Sequence, residues 1–329
     1  MTVRLGFLGA GLIAHAHAAS LRTGAAAATI VAVHDPDRAR AERFAATFGG
    51  DGGLRILDDP DAVIDAADAV YVCTWTAAHP DLVRRVAAAG KAVFCEKPLG
   101  VDVAESEALV AEVERSGVRQ AVNFPFASSA AVDALARAIA EPAFGLRGVE
   151  MRVRFHEWPR AWQAGATWLS RADQGGFTRE VLSHFVYLAH RLFGGEVALQ
   201  GAAVAHPPSP AGAAETAVAA VLDCAGVPAT VSGTVGGAAP DRIEARFVGA
   251  RAELVLADWY RLDVVDADAP QGRPMPGLPE DPRTAAYQGQ LAQLHAMLSG
   301  DPHTLPGFAD ALAVQRRIEA MLTPPGRHG

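Results

Sequence analysis

The sequence predicts a two-part chain: an N-terminal α/β domain with a doubly wound parallel sheet over residues 1–122, then an α+β domain over residues 123–329 built on a large, mostly antiparallel open sheet. Three observations carry this. Up to Asn123 short apolar or β-branched runs alternate with segments of helical spacing, the pattern of parallel strands joined by right-handed helical crossovers. Beyond Asn123 that alternation stops and strand-like segments follow one another. The 329 residues, half of them hydrophobic and a fifth charged, suit about two ordinary globular cores.

In order, Val3–Leu8 reads as a strand, Leu12–Thr23 as a helix, and the β-branched Thr29–His34 as a strand. Asp37–Phe48 has helical spacing and stops at Gly49-Gly50; Ala69–Thr74 is a buried strand, and Pro80–Ala89 a helix stopped by Gly90. Ala92–Cys95, Val103–Arg115 and Val118–Asn123 complete the domain as strand, helix and strand. In the second part Val132–Ala140 is helical, and Leu146–Phe155 alternates like a strand with one wet face. The helix Thr178–Phe193 follows, then strands Ala217–Cys224, Ala229–Val235, Ile243–Val248 and Ala252–Leu256. Asp266–Asp281 is Pro/Gly-rich and reads as a loop, and helices near Ala285–Leu298 and Phe308–Leu322 close the chain.

Composition narrows the function. A net charge of −8 with no Lys/Arg run excludes a phosphate-neutralising nucleic-acid surface. There is no basic amphipathic segment for a membrane surface, and no stretch approaches the ~20 apolar residues of a membrane span. Cys73, Cys95 and Cys224 are too few and scattered for a disulfide framework. His15 and His17 form the tightest potential ligand pair, with no second pair at a matching distance, so no metal is expected. The first twenty residues loosely mimic a signal peptide, but Gly6, Gly9 and Gly11 interrupt the apolar run. The expectation is a cytoplasmic protein with reduced thiols.

The segment Gly9–Ala14 (G-A-G-L-I-A) matches G-x-G-x-x-G/A after a strand and at the opening of a helix. Gly9 permits the tight turn, Gly11 lets backbone approach a pyrophosphate, and Ala14 lets helix and strand pack closely. Leu12 and Ile13 open the helix whose unpaired N–H groups would face the phosphates. Asp35 stands 24 residues after Gly11 at the end of the second strand, where a carboxylate binds a ribose 2′-OH and repels a 2′-phosphate. This favours NAD(H) over NADP(H), although Arg38 lies close enough to serve a 2′-phosphate. The plain alternative is a Gly-rich turn that packs a strand on a helix without ligand.

Two further motifs, C-T-W-T-A-A-H at Cys73–His79 and C-E-K-P-L at Cys95–Leu99, resemble the third- and fourth-strand signatures of the Gfo/Idh/MocA oxidoreductases. The Gly-rich loop, G-G-x₃-E-x₃-H at Gly175–His184 and the closing helix fit the same family. The resemblance implies that Thr74, Trp75, His79, Glu96, Lys97 and Pro98 border the cofactor. It further implies a cis Lys97–Pro98 peptide and a Lys97 directed at the nicotinamide and the substrate hydroxyl. Where the family has Asp and, four residues on, His, this chain has Glu180 and His184. It also has Thr76 where the family often has Asn, and N-F-P-F at Asn123–Phe126 where an Arg-containing segment is usual.

The i, i+4 spacing puts Glu180 and His184 on one helical face, continued by Tyr187 and Arg191, while His190 lies off it. Such a polar stripe is either a solvated face or the wall of a pocket; Gly175-Gly176 and the upstream Glu96-Lys97-Pro98 favour the pocket. A neutral imidazole suits removal of the O–H proton of a secondary alcohol as hydride leaves the same carbon. The expected catalytic set is His184 as acid/base, Lys97 steadying the developing alkoxide, and Glu180 contacting substrate or orienting His184. Asn123 and, in the aromatic loop Phe155–Gln163, Trp158, Arg160 and Trp162 are candidate substrate contacts, the loop residues alternatively serving as loop anchors or a subunit contact.

These residues point to reversible NAD(H)-linked hydride transfer on a small polar molecule such as a sugar or cyclitol, by a homodimer or homotetramer with no nucleic-acid or membrane partner. Two alternatives stay open: a glycosidase- or lyase-type enzyme that retains NAD, and a non-enzymatic NAD-binding regulator.

Overall fold

A computed structural model describes residues 2–23, 28–50 and 53–323. The chain forms two compact units, one of Met1–Ser128 and Thr284–Leu312, the other of Ser129–Arg283 and Ala313–Gly329.

The first unit holds six parallel strands: β1 (Val3–Leu8), β2 (Ala28–His34), β3 (Arg55–Ile56), β4 (Ala69–Val72), β5 (Ala92–Glu96) and β6 (Gln120–Asn123), in the order β3-β2-β1-β4-β5-β6. Helices α1 (Leu12–Thr23), α2 (Arg38–Phe48), α3 (Pro60–Ala66), α4 (His79–Ala88) and α5 (Val103–Ser116) make the crossovers. Local chemistry fixes their starts. Asp37, Asp59 and Asp102 cap α2, α3 and α5, accepting from the amides of Ala39, Asp61 and Glu105. Pro60 and Pro80 sit in the first turns of α3 and α4, where no N–H is needed. β4 is buried along its whole length, as expected for a strand covered on both faces. Phe7 stacks on Tyr71 with centroids 4.7 Å apart and tilts against Phe44 at 5.1 Å.

The second unit carries an eight-stranded sheet. Its strands are β7 (Gly148–Phe155), β8 (Val197–Ala205), β9 (Ala217–Cys224), β10 (Val227–Val235), β11 (Arg242–Val248), β12 (Glu253–Ala257), β13 (Arg261–Val265) and β14 (Arg273–Pro274). The order is β14-β13-β12-β11-β7-β10-β9-β8, and only β7–β10 is parallel. One face is apolar, with Val149, Met151, Val153, Leu222, Val231 and Phe247 buried. The other carries Glu150, Arg152, Thr230, Ser232, Arg242, Glu244 and Arg246. Helices α6 (Ala130–Ala140) and α7 (Ser183–Leu192) belong to this unit. At Gly233 of β10 an added Cβ would fall 2.3 Å from Phe177 and 3.1 Å from Leu182, so the run into α7 lies directly on the sheet.

Several features depart from the sequence reading. The strands β3, β8 and β13 and the helix α3 stand outside the elements read from the sequence; β3 and α3 span only two and seven residues. β8 is mostly Ala, Gly and Val and is held by its ladder to β9. The segment read as a loop over Asp266–Asp281 contains β14, which pairs Arg273 and Pro274 with Val264 and Asp263. A single cut after residue 122 also does not describe the compact units. Helix α8 (Pro282–Ser299) and the start of α9 (Phe308–Leu322) belong almost wholly to the first, where Leu294, Met297 and Leu305 share a core with Leu5, Phe7 and Phe94. The Val122 amide donates to Pro306 O at 2.9 Å and Gln120 Oε1 accepts from Phe308 N at 2.7 Å, which closes the exposed edge of β6. Among the described residues no helix is long and apolar enough to cross a membrane, and no cluster of three or more His, Cys, Asp or Glu could hold a metal.

Candidate active site

Because all six strands of the first sheet run the same way, their C-terminal ends share one edge. β1 and β4 are neighbours there although β1 is followed in sequence by β2 on its other side, and a crevice opens at such a switch point. Gly9 follows β1 with φ +95°, and a Cβ on it would lie 2.5 Å from Cys73 O. A Cβ on Gly11 would meet nothing within 4 Å, so the turn faces open space. Ala14 is fully buried and Ile13 packs on the core, while Leu12 and Trp75 stand 65% and 48% exposed after β1 and β4. Asp35 binds back to the turn: Oδ2 accepts from Ala10 N at 2.8 Å and Oδ1 from Asp37 N at 2.9 Å. Arg38 is paired with Asp58 at 2.6 Å and Glu42 at 3.2 Å. A bare turn, a helix N-terminus and a carboxylate at the end of β2 fit a dinucleotide.

Further along the same edge, β5 ends in Glu96 and turns through a cis Lys97–Pro98 peptide, the isomer that the family resemblance implies. Lys97 is half-buried. Behind it, Glu96 Oε1 lies 2.9 Å from His17 Nε2 and accepts from Asn123 Nδ2, and Asn123 Oδ1 accepts from Gln290 Nε2. Burial works against charge on Glu96, but the His17 hydrogen bond and charge, the Asn123 amide and the nearby Lys97 outweigh it and hold the carboxyl below its ordinary range. His79 is also buried, its ring nitrogens 2.9 Å from Pro98 O and 3.1 Å from Thr74 O, so it ties the end of β4 to the Lys97–Pro98 corner. Glu96, His79 and Asn123 thus direct their polar atoms into the scaffold that carries Lys97. Burial pushes the Cys73 and Cys95 thiols well up, with the charge of Glu96 adding to it, and both cysteines are free.

In the second unit, Gly175 and Gly176 leave no room for side chains. A Cβ on Gly175 would lie 2.5 Å from Leu169 Cα, and one on Gly176 (φ +99°) would lie 2.4 Å from Glu215 Oε2. Glu215 is buried and accepts from Thr178 N at 2.7 Å at the mouth of the helix. The following turn, Thr178–Leu182, is a π-helix: the Ser183 N–H reaches back to Thr178 O before α7 begins. Glu180 lies in this wide turn and is half-buried; His184 is 8% exposed. From Val181 to Ala189 every residue is buried, so the stripe is not a solvated face. Tyr187 is buried, Arg191 pairs with Asp133 at 2.6 Å, and His190 lies 3.5 Å from Arg317 Nη1. The His184 ring stands edge-on to Trp259 at 5.2 Å and 86°. Trp259 and Asp258 form the β12–β13 turn with φ +73° and +50°, a conformation that a bulky residue rarely adopts.

The aromatic loop is internally tied. Trp158 Nε1 donates to Leu169 O at 3.1 Å, and its ring stacks on Phe155 and meets Phe177 edge-on. Arg160 lies over both Phe155 and Trp162, and Trp162 is 59% exposed. Sequence reasoning missed His17, Gln290, Glu215 and Trp259, and it gave Gln163 no role beyond closing the aromatic loop. In the sequence His17 stands out only beside His15, and Gln290, Glu215 and Trp259 carry no local motif.

The fold and this edge define the class: a two-unit chain whose first unit is built to bind a dinucleotide. The oxidoreductase family with an NAD-binding Rossmann fold matches residues 3–124, and the GFO/IDH/MocA C-terminal domain matches residues 132–255. The chain belongs to the GFO/IDH/MocA oxidoreductase family. An inositol 2-dehydrogenase of Rhizobium meliloti is 43% identical over 124 residues, 38% of this chain and 36% of that protein, so such curated relatives are matched over only about a third of their length. A solved structure from Sinorhizobium meliloti, described as a candidate myo-inositol dehydrogenase, is 26% identical with TM-score 0.78 over 98% of this chain and 97% of that one. A 3-ketoreductase of Actinomadura kijaniata, solved with NADP, shares the fold at 22% identity, with TM-score 0.81 and 98% of each chain covered.

Proposed function

We propose that this protein is an NAD(H)-dependent dehydrogenase or reductase that moves a hydride to or from a hydroxyl-bearing or carbonyl carbon of a small polar molecule, a sugar, cyclitol or derivative. One observation carries the reading: Asp35, the Gly9–Ala14 turn, Thr74, Trp75 and Lys97 all stand at the C-terminal edge of one parallel sheet. The inositol dehydrogenase likeness supports the substrate class. Asp35 at the end of β2, and an Arg38 already paired with two carboxylates, support NAD(H) over NADP(H).

Bound NAD⁺ supplies the hydride acceptor. In the oxidative direction His184 takes the hydroxyl proton, and Lys97 donates a hydrogen bond to the oxygen as charge develops on it. Glu180 accepts from a neighbouring substrate hydroxyl or orients His184, and in the reverse direction His184 returns the proton. The same reading places the protein in the cytoplasm as a homodimer or homotetramer, its open sheet face pairing with a second copy.

Titration of the purified protein with NADH and NADPH, followed by fluorescence, is the first test. Saturable binding that favours NADH is expected, and NADH formation from NAD⁺ with a sugar or cyclitol should follow. Product without net NADH would point to an NAD-retaining enzyme instead, and failure of a folded, cofactor-free sample to bind either nucleotide would overturn the reading.

A further inference from the structure

The loop between β7 and the Gly175–Gly176 turn holds a guanidinium with unusual contacts. Arg160 Cζ is 4.7 Å from the Phe155 centroid and 4.7 Å from the Trp162 centroid. Its Nε donates to Gln163 Oε1 at 3.2 Å, and its own backbone N–H donates to the same oxygen at 3.2 Å. Gln163 is 9% exposed, so the anchor is itself fixed. Both ring contacts and one edge are thus set by the loop, leaving the terminal Nη1 and Nη2 amino groups. Among the described residues no carboxylate lies within ion-pair distance of them. Arg171 and Arg179, further along the same stretch, are paired with Asp173 and Glu319.

Burial pulls the Arg160 guanidinium below its ordinary range, against the opposing charges of Asp241 and Glu180, which act from beyond contact. Asp241 is already engaged by His156, accepting from its backbone amide at 2.9 Å with the ring Nδ1 at 3.0 Å. Glu180 lies on the run that leads to His184.

We propose that Arg160 is the receptor for an anionic group on the substrate, a carboxylate or a phosphate, so that the molecule turned over is an acidic sugar or cyclitol derivative. This rests on the hydride-transfer reading above. Two coplanar N–H donors match two oxygens of either group, and a fork already held by two rings and an amide loses little freedom on binding. Glu180 sets the polarity of the bound molecule: its charge opposes an anion beside it and accepts from a hydroxyl, so the acid group docks at Arg160 and the hydroxyl-bearing carbons lie toward Glu180. The exposed Trp162 ring offers a face for the apolar side of a sugar ring.

The test is calorimetric titration of the NADH-saturated protein with D-glucuronate, D-gluconate and D-glucose 6-phosphate, against D-glucose and myo-inositol. At least one acid is expected to bind tenfold or more tightly than the neutral compounds, and the stronger of the carboxylate and phosphate arms identifies the group. Arg160→Gln should weaken that acid about ten- to hundredfold, and Arg160→Lys less, with NADH affinity unchanged in both. The proposal is overturned if the neutral compounds bind as tightly as the acids, or if Arg160→Gln leaves acid affinity intact. Oxidation of neutral sugars alone would sink the Arg160 assignment and leave hydride transfer standing. Arg160-dependent acid binding with no NADH formed from NAD⁺ would do the reverse.

Discussion

Asp35 has one duty in the structure and a second in the proposed reading. Its carboxylate accepts from the Ala10 and Asp37 amides, which fixes the Gly-rich turn, and its remaining lone pairs are available to a ribose. Asp35→Ser should therefore raise the NADH dissociation constant about tenfold and narrow the gap to NADPH, as read by paired fluorescence titrations. Lys97 is separable from this. Lys97→Ala should abolish turnover, a loss of several orders of magnitude, while NADH affinity moves by less than about threefold; normal turnover would remove Lys97 from the mechanism. Trp259 makes a different case, because its positive φ is maintained against steric preference while its ring meets His184. Trp259→Phe should lower kcat less than Trp259→Ala, since phenylalanine keeps an aromatic ring beside the imidazole.

Among the elements, the run from Gly175 into α7 is the most constrained. Gly176→Ala forces both a positive φ and a Cβ into the Glu215 carboxylate, and should cost about 2–4 kcal/mol, seen as a drop in Tm. The strand end β5 is constrained by charge. The Glu96 carboxyl is held below its ordinary value of 4.5, so its ionised form stabilises the fold above that pH, and the contribution is lost as pH falls through the lowered folded value. Glu96→Gln should cost about 1–3 kcal/mol at pH 7, with the gap to the parent protein narrowing in urea melts as the pH is taken below 4.5. Local signals explain what could be read in advance at this scale. Gly9 and Gly11 announce their turn, because backbone need and residue identity coincide within a few positions, and Asp35 is found by its fixed offset at the end of the next strand. The bounds of α5 are legible for a similar reason, since its helical run lies between the Asp102 and Gly117 caps. The Glu96–Asn123 network and the Glu215 cap are not legible, because His17 reaches Glu96, Gln290 reaches Asn123 and Glu215 reaches Thr178 across 79, 167 and 37 residues of sequence. The π-turn has no sequence mark, as the segment scans like any amphipathic helix.

Across the molecule, the first unit is not a contiguous stretch of chain. Leu294, Met297 and Leu305 complete its core, and Gln290 completes the Asn123 network. Deletion of everything after Arg283 should leave the first sheet incompletely packed. Each of the three apolar side chains contributes about 2–4 kcal/mol of burial, a sum comparable to the ~5–15 kcal/mol stability of an ordinary domain. NADH binding should be lost and hydrogen exchange in β5 and β6 should rise, whereas a freely folding N-terminal piece would bind NADH normally.

That discontinuity has a meaning during biosynthesis. On the ribosome the Gly-rich turn and all six strands emerge early, yet the residues that seal β6 and fill the core beneath β5 arrive only after the eight-stranded sheet has been translated. The nascent chain must hold an unfinished nucleotide fold in waiting, its apolar face open to chaperones, until residues 284–312 leave the exit tunnel. Competence to bind a dinucleotide thus waits on residues 284–312, although the motif that announces it lies at Gly9–Ala14.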